Sequence, residues 1–207
     1  FCFTNHAALL EPKQETDSSF DTSAESIVVT SPHSLQAARD HLRMVHRLTT
    51  SLAGIIDSTT ILRHLVAILV DEFKPDRCVG VLMSDAQHIT YSIEANREKM
   101  SEGATVFSRA IIFHACNEVC GIRIPNIAND VRFVHDDDTV KSGAKSLLCA
   151  PLVAHGKILG AVLLEIHSEN RQWGEGQLEL LATASGHAAL ALLTATLART
   201  RLQHERL

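Results

Sequence analysis

The sequence predicts an α+β domain in which a central antiparallel β-sheet carries helices on both faces and long helices at both ends. Two apolar runs, 146–153 and 158–166, flank the short turn His155-Gly156-Lys157, and strands joined by so tight a turn pair antiparallel. Residues 34–56 and 174–206 are long segments with a helical spacing of apolar residues. Because 45% of the 207 residues are hydrophobic, the chain can bury one core with flanking helices.

The first part of the chain divides into a linker and a two-faced helix. Residues 11–32 are rich in Ser, Thr, Asp and Glu, and we interpret 1–32 as the end of a preceding domain plus a linker. Ser34 is expected to cap the helix that opens the main domain, 33–207. One apolar stripe of this helix, with Met44 and Leu48, can serve the domain, and a second stripe can serve a partner. The second stripe alternates spacings of three and four through Leu35, Ala38, Leu42, Val45, Thr49, Leu52 and Ile56.

The remaining elements follow from apolar periodicity and from turn residues. Pro75 disfavours helix beyond Phe73, and Pro125 marks an edge strand or the end of a strand. A last helix that begins near Gly174 and reaches Arg206 would be about 50 Å long, so its C-terminal part must project from a small domain. Helices are also predicted at 60–73 and 106–116, and strands at 78–83, 88–93 and 122–127.

The stretch 146–191 carries a family resemblance. Its strand Ser-Leu-Leu-Cys-Ala-Pro-Leu, the Gly160 after the turn and the loop Asn170-Arg171-x-Trp173 resemble the C-terminal half of a GAF domain. GAF domains are the small-molecule-sensing modules of phosphodiesterases, adenylyl cyclases, phytochromes and bacterial transcription activators. Residues 124–133 resemble the family segment that ends in Asp-Pro-Arg-Phe, with Val131 in place of proline. The resemblance implies a regulatory GAF domain of a larger, bacterial-type signalling protein.

A ligand pocket is expected between the sheet and the weakly patterned segment 100–145. The alternative is a GAF fold that has lost its ligand and works as a dimerisation scaffold. Polar groups that converge on a cavity would favour the sensor, whereas a pocket filled by the chain's own apolar side chains would favour the scaffold. The candidate ligand-binding residues are Met83, Phe107, Ile111, Asn126, Asp130, Phe133, Ser142 and Cys149.

The resemblance leaves the ligand open, so the cofactor is unknown. Cyclic-nucleotide-binding members carry an Asn-Lys motif completed by a Phe and an acidic residue, and this chain offers Asn170-Arg171, then Trp173 and Glu175. In the family this motif mainly supports the fold, so Trp173 is predicted to be a packing anchor. Bilin-binding members hold the pigment through a cysteine that is commonly followed by His, and none of the five cysteines here precedes a His.

Thiols and nucleophile motifs are the remaining chemical signals. The pattern His114-x-Cys116-x-x-x-Cys120 contains ligands that zinc and copper prefer, but a structural zinc site needs four ligands. Buried thiols are therefore the expectation, with no metal site, and thiol-based redox or metal sensing is the alternative. The chain has no Gly-x-Ser-x-Gly elbow and no Gly-rich phosphate loop. We predict no catalytic residue and no enzymatic activity.

Charge and apolar surface indicate the expected partners and location. The net charge of −5 without a Lys/Arg block argues against nucleic acid. The apolar run 178–198 contains Glu179 and His187 and much alanine, which argues against a membrane span. The odd number of cysteines and the lack of a signal-peptide pattern favour a cytoplasmic protein. A homodimer through helices 34–56 and 176–206 is expected, with Leu42 and Leu192 at the contact, because these helices carry more apolar surface than one domain can cover.

Overall fold

The structure is a computed structural model that describes residues 35–85, 87–103 and 106–204. The predictions for 1–32 and for Ser34 lie outside the described residues. In the described part the predicted α+β architecture is confirmed, with six strands and five α-helices. In chain order these are α1 Leu35–Leu52, α2 Ser58–Phe73, β1 Arg77–Asp85, β2 His88–Ala95, β3 Met100–Glu102, α3 Arg109–Glu118, β4 Ile122–Ile124, α4 Asp137–Ser142, β5 Ser146–Ala154, β6 Lys157–Ile166 and α5 Glu175–His204.

The sheet is antiparallel throughout. Its strand order is β3-β2-β1-β6-β5-β4, so β1 and β6 are the central pair. Ala154 pairs with Lys157 at the end of the β5–β6 hairpin, which leaves His155 and Gly156 as a two-residue loop. Both have left-handed φ angles, 49° and 73°, as a tight hairpin turn requires. The predicted turn is therefore confirmed.

Helices cover both faces of the sheet, as predicted. One face packs against α1, α2 and α5 and buries alternate strand residues such as Cys78, Leu148 and Leu164. The other face packs against α3 and buries the intervening residues, among them Val79 and Leu163. Because both faces are buried, the central strands are continuous apolar runs rather than alternating ones.

Two boundaries and two short elements differ from the sequence-based expectation. Helix α3 begins at Arg109 and not at 106, because Ser108 is its N-cap and its Oγ accepts a hydrogen bond from the amide of Ile111 at 3.3 Å. Strand β4 ends at Ile124, where Pro125 and a short 3₁₀ turn follow. The segment 100–145 contains β3 and α4, which apolar periodicity did not reveal because these elements have three and six residues.

Helix α1 has a buried and an exposed face, but Leu52, expected on the stripe that serves a partner, is only 6% exposed and lies in the core. Met44 and Leu48 are buried in the helical layer of the core, whereas Leu35 and Leu42 are 83% and 70% exposed. The packed stripe serves the domain, and the exposed stripe has no cover among the described residues.

The apolar face of α5 corrects one expectation. Leu192, which we expected on the surface that pairs two copies, is only 2% exposed and packs in the chain's own core, together with Leu181. The exposed leucines of α5 are instead Leu190 and Leu197, at 48% and 52%. By length and composition α5 could cross a membrane, but this packing on the sheet and on α1 is what a core helix of the domain shows.

Candidate functional site

The five apolar residues predicted for the ligand pocket lie together. Met83, Phe107, Ile111, Phe133 and Cys149 belong to one buried cluster between α3 and the sheet, which we call the α3 cluster. Each is at most 6% exposed and packs among the chain's own apolar side chains. The structure therefore brings these five residues together but buries them in the core.

The three polar residues predicted for the pocket support local structure. Asn126 caps the 3₁₀ turn by accepting a hydrogen bond from the amide of Ala128 at 3.0 Å. The carboxylate of Asp130 accepts hydrogen bonds from the backbone and guanidinium of Arg132. Ser142 Oγ donates to the carbonyl of Thr139 at 2.8 Å. These groups are engaged beside the α3 cluster and do not converge inside it.

A buried polar junction, which the sequence analysis missed, joins the starts of α3 and α4. Thr139 Oγ1 donates to Ser108 Oγ at 2.5 Å and lies 2.6 Å from Asp136 Oδ2. The same carboxylate accepts the amide of Thr139 and so caps α4. Ser108 and Thr139 are both buried. The acidic run Asp136-Asp137-Asp138 thus begins a helix, with Asp136 as the N-cap.

A charged cluster at one end of the sheet was also missed. Glu165 is completely buried, and its Oε2 accepts hydrogen bonds from Arg77 Nη1 at 3.4 Å and from His167 Nε2 at 3.1 Å. Arg77 Nη2 donates to Glu94 Oε2 at 2.6 Å. The hydrogen bond with Glu165 raises the pKa of His167, and the nearby charge of Asp76 adds to this effect. The signal in the sequence that could have revealed this cluster is Glu165 itself, a single acidic residue inside an apolar strand.

The Asn170-Arg171-x-Trp173 loop has the structural role that we predicted for it. Arg171 donates to the carbonyls of Phe73 and Lys74 at 2.8 and 2.7 Å, and so satisfies the C-terminal end of α2. The Trp173 ring is buried and meets the Phe73 ring edge to face at 6.2 Å. Trp173 is therefore the packing anchor that connects α2 with the start of α5.

The buried thiols are poorly suited to redox chemistry. Burial raises the pKa of Cys116 to about 12, and burial together with the neighbouring Cys116 and Cys120 raises that of Cys149 well above its usual range. A thiolate is the reactive form, so Cys116 and Cys149 are protonated and unreactive at neutral pH. Among the described residues, no group of three or more His, Cys, Asp or Glu side chains is placed to hold a metal ion.

A six-stranded antiparallel sheet between two helical layers, with a 30-residue helix at its C-terminal end, defines the class of small α+β domains. The sequence profile of the GAF domain matches residues 57–192. The chain belongs to the GAF domain family, whose members are generally regulatory, small-molecule-sensing domains of signalling proteins. No curated protein sequence matches the chain.

Solved structures agree with this fold. The GAF domain of a phosphoenolpyruvate-protein phosphotransferase from Coxiella burnetii is 14% identical and has a TM-score of 0.59, over 79% of this chain and 98% of that one. The second GAF domain of DevS from Mycobacterium smegmatis is 18% identical, with a TM-score of 0.51 over 70% and 99%. Free methionine-R-sulfoxide reductase from Neisseria meningitidis is 13% identical, with a TM-score of 0.58 over 84% and 99%. At these identities the likeness concerns the fold alone.

Proposed function

We propose that this domain is a homodimeric, non-catalytic regulator that passes a signal along α5 to an output domain of a larger cytoplasmic signalling protein. The exposed leucines of α1 and α5 are the observation that carries this proposal. Leu35 and Leu42 lie seven residues apart on α1, and Leu190 and Leu197 lie seven apart on α5. A spacing of seven keeps two residues on one helix face, as in helices that pair with other helices.

The exposed leucines of α1 and α5 are large apolar side chains, which favours a partner surface that covers them. Single exposed leucines are ordinary, but a row of leucines on one helix face is costly in water unless it is covered. Two copies related by a two-fold axis would cover the same surface on each other. The net charge of −5 and the buried apolar face of α5 favour such a partner over nucleic acid or a membrane.

The α3 cluster favours the scaffold over the sensor at the pocket that we predicted. Its space is filled by Phe107, Ile111, Phe133 and their apolar neighbours, and a ligand would have to displace them. Only a small apolar molecule could do so without leaving buried polar groups unpaired. A cyclic nucleotide is less favoured, because Arg171 of the motif-like loop is bound to α2 carbonyls.

The dimer is tested by placing a negative charge on each exposed stripe. We expect the unmodified chain to be a dimer at tens of micromolar in light scattering and the double variant Leu42→Glu, Leu190→Glu to be a monomer, because like charges would meet in an apolar contact. The matched control is Val131→Glu, since Val131 is 82% exposed beside the α3 cluster. Its dimer should persist, and circular dichroism should show all three proteins folded. A monomeric unmodified chain would contradict the proposal.

A further inference from the structure

The two central strands separate at one end of the sheet. The ladder between β1 and β6 ends at the pair Leu82–Gly160. Both strands nevertheless continue, since β1 runs on to Asp85 alongside β2, and β6 begins at Lys157 alongside β5. The β1–β2 register shifts twice between Leu82 and Asp85. Irregularities of this kind bend a strand away from its neighbour and are frequent next to binding sites.

A cleft of about 630 Å³ opens where the strands separate. Its apolar part is formed by Leu82 and Leu159 from the two strands and by Leu192 from α5. Its polar rim is formed by Asp85, Lys157 and Thr196, with Ser58 at the start of α2. The cleft is distinct from the α3 cluster, which it touches at Met83 and at Ile158, a residue that packs against the cluster.

The two charges on the rim are available to a ligand. Continuing the β1–β6 register beyond its last pair would place Asp85 opposite Lys157, but the strands have diverged there. Lys157 forms no ion pair with any residue that the structure describes. Among the residues that the structure describes, the partners of the Asp85 carboxylate are local, the amide of Gln87 at 2.9 Å and Ser84 Oγ at 3.4 Å. An ammonium and a carboxylate thus stand on either side of an apolar cleft.

We propose that this cleft binds a small zwitterion with an apolar side chain, of the class of the apolar α-amino acids. The ligand carboxylate pairs with Lys157, its ammonium pairs with Asp85, and its side chain packs on the leucines below. The unpaired edges of β1 and β6 supply further backbone donors and acceptors. Leu192 and Thr196 lie on α5, so an occupied cleft acts directly on the helix that leaves the domain.

The test uses probes that differ by one charge. L-leucine and L-phenylalanine are titrated against the full chain with methyl resonances as the readout, beside 4-methylpentanoate, which lacks the ammonium, and 3-methylbutylamine, which lacks the carboxylate. We expect at least one amino acid to shift the Leu192 methyls below about 10 mM. We also expect 4-methylpentanoate and 3-methylbutylamine each to bind about tenfold more weakly than L-leucine, since a charged hydrogen bond is lost.

Substitutions of the two charged rim residues test whether the amino acid binds between them. Lys157→Met should weaken amino acid binding about tenfold and leave 3-methylbutylamine unaffected, and Asp85→Asn should leave 4-methylpentanoate unaffected. Lys141→Met, on exposed α4, is the control and should change nothing. The proposal is overturned if neither amino acid shifts Leu192, if 4-methylpentanoate binds as well as leucine, or if the shifts fall on Ile111 in the α3 cluster instead. None of these outcomes depends on whether the chain is a dimer.

Discussion

At the scale of single residues, Gly160 holds the central strands together. A Cβ placed on this residue would lie 2.0 Å from the carbonyl oxygen of Val81 on the neighbouring strand. That atom belongs to the backbone and cannot rotate away, so β1 and β6 would have to separate. The close approach of the strands here immediately precedes the cleft, which explains why only glycine fits.

We therefore expect Gly160→Ala to destabilise the domain by about 2 kcal/mol or more, the range of backbone shifts in a packed core. The control is Gly176→Ala, because a Cβ at Gly176 on α5 would meet nothing within 4 Å. Its stability should stay the same or rise by about 0.4–1 kcal/mol. Urea unfolding of both variants checks this, and an equal midpoint for Gly160→Ala and the unmodified chain would refute it.

His167 should make stability depend on pH. Its pKa is raised by the hydrogen bond with Glu165, so the protonated ring stabilises the folded state. This contribution is complete below the ordinary imidazole pKa of about 6.5 and is lost as the pH rises through the higher folded value. Unfolding midpoints measured across that window should fall with pH, and His167→Gln should remove this part of the slope. His64→Gln, on the exposed face of α2, should leave the slope intact.

Residue roles were predictable only where the residue type itself limits the structure. Gly160 and Trp173 stood out from the sequence, because a glycine inside an apolar strand and a lone tryptophan before a helix have few uses. Glu165 did not, since its partners Arg77 and His167 come from the other central strand and from beyond the end of β6. Asn126 and Ser142 make local hydrogen bonds, and the polarity of a residue in the sequence does not distinguish such a role from a ligand contact.

At the scale of elements, the junction of α3 and α4 covers the α3 cluster. Ser108→Ala removes the N-cap of α3 and the acceptor for Thr139 Oγ1, so we expect a loss of about 1 kcal/mol. Hydrogen exchange should accelerate first in α4, and not in α2 on the opposite face of the sheet. Ser168→Ala is a suitable control, because Ser168 is an exposed loop residue that only accepts from the amide of Asn170. Uniform acceleration in both helices would show that the junction does not hold α4 in particular.

Long elements were predictable and short ones were not. The helices α2 and α5 and the hairpin β5–β6 have ten or more residues of periodic pattern or an unambiguous turn. Strand β3 has three residues, and it exists because it pairs with the end of β2 rather than because of its own sequence. On α5 the apolar residues occupy nearly every face, so sequence could not say which leucines are exposed.

At the scale of the whole molecule, the two faces of the sheet have separate tasks. The face that carries α1, α2 and α5 also carries the exposed leucines and borders the cleft, so partner and ligand would act on the same helices. The opposite face is closed by the α3 cluster. A signal that rotated α5 slightly would change its packing against α1 and α2 and leave the strands of the sheet paired. Packed helices shift between discrete arrangements in this way.

The last prediction concerns the N-terminal segment. Among the residues that the structure describes, the two clusters run from Met44 to Ala195. Because residues 11–32 have the composition of a linker, we expect deletion of 1–30 to leave the melting temperature unchanged. Deletion of 1–52 is the matched control. It removes α1 with the buried Met44 and Leu48, and exposing their contacts on α5 should cost several kcal/mol, as the loss of large core side chains does. Thermal unfolding of both truncated chains measures the two melting temperatures and tests this prediction. If the shorter deletion already abolishes soluble protein, residues 1–30 dock on the domain and our interpretation of them as a linker is wrong.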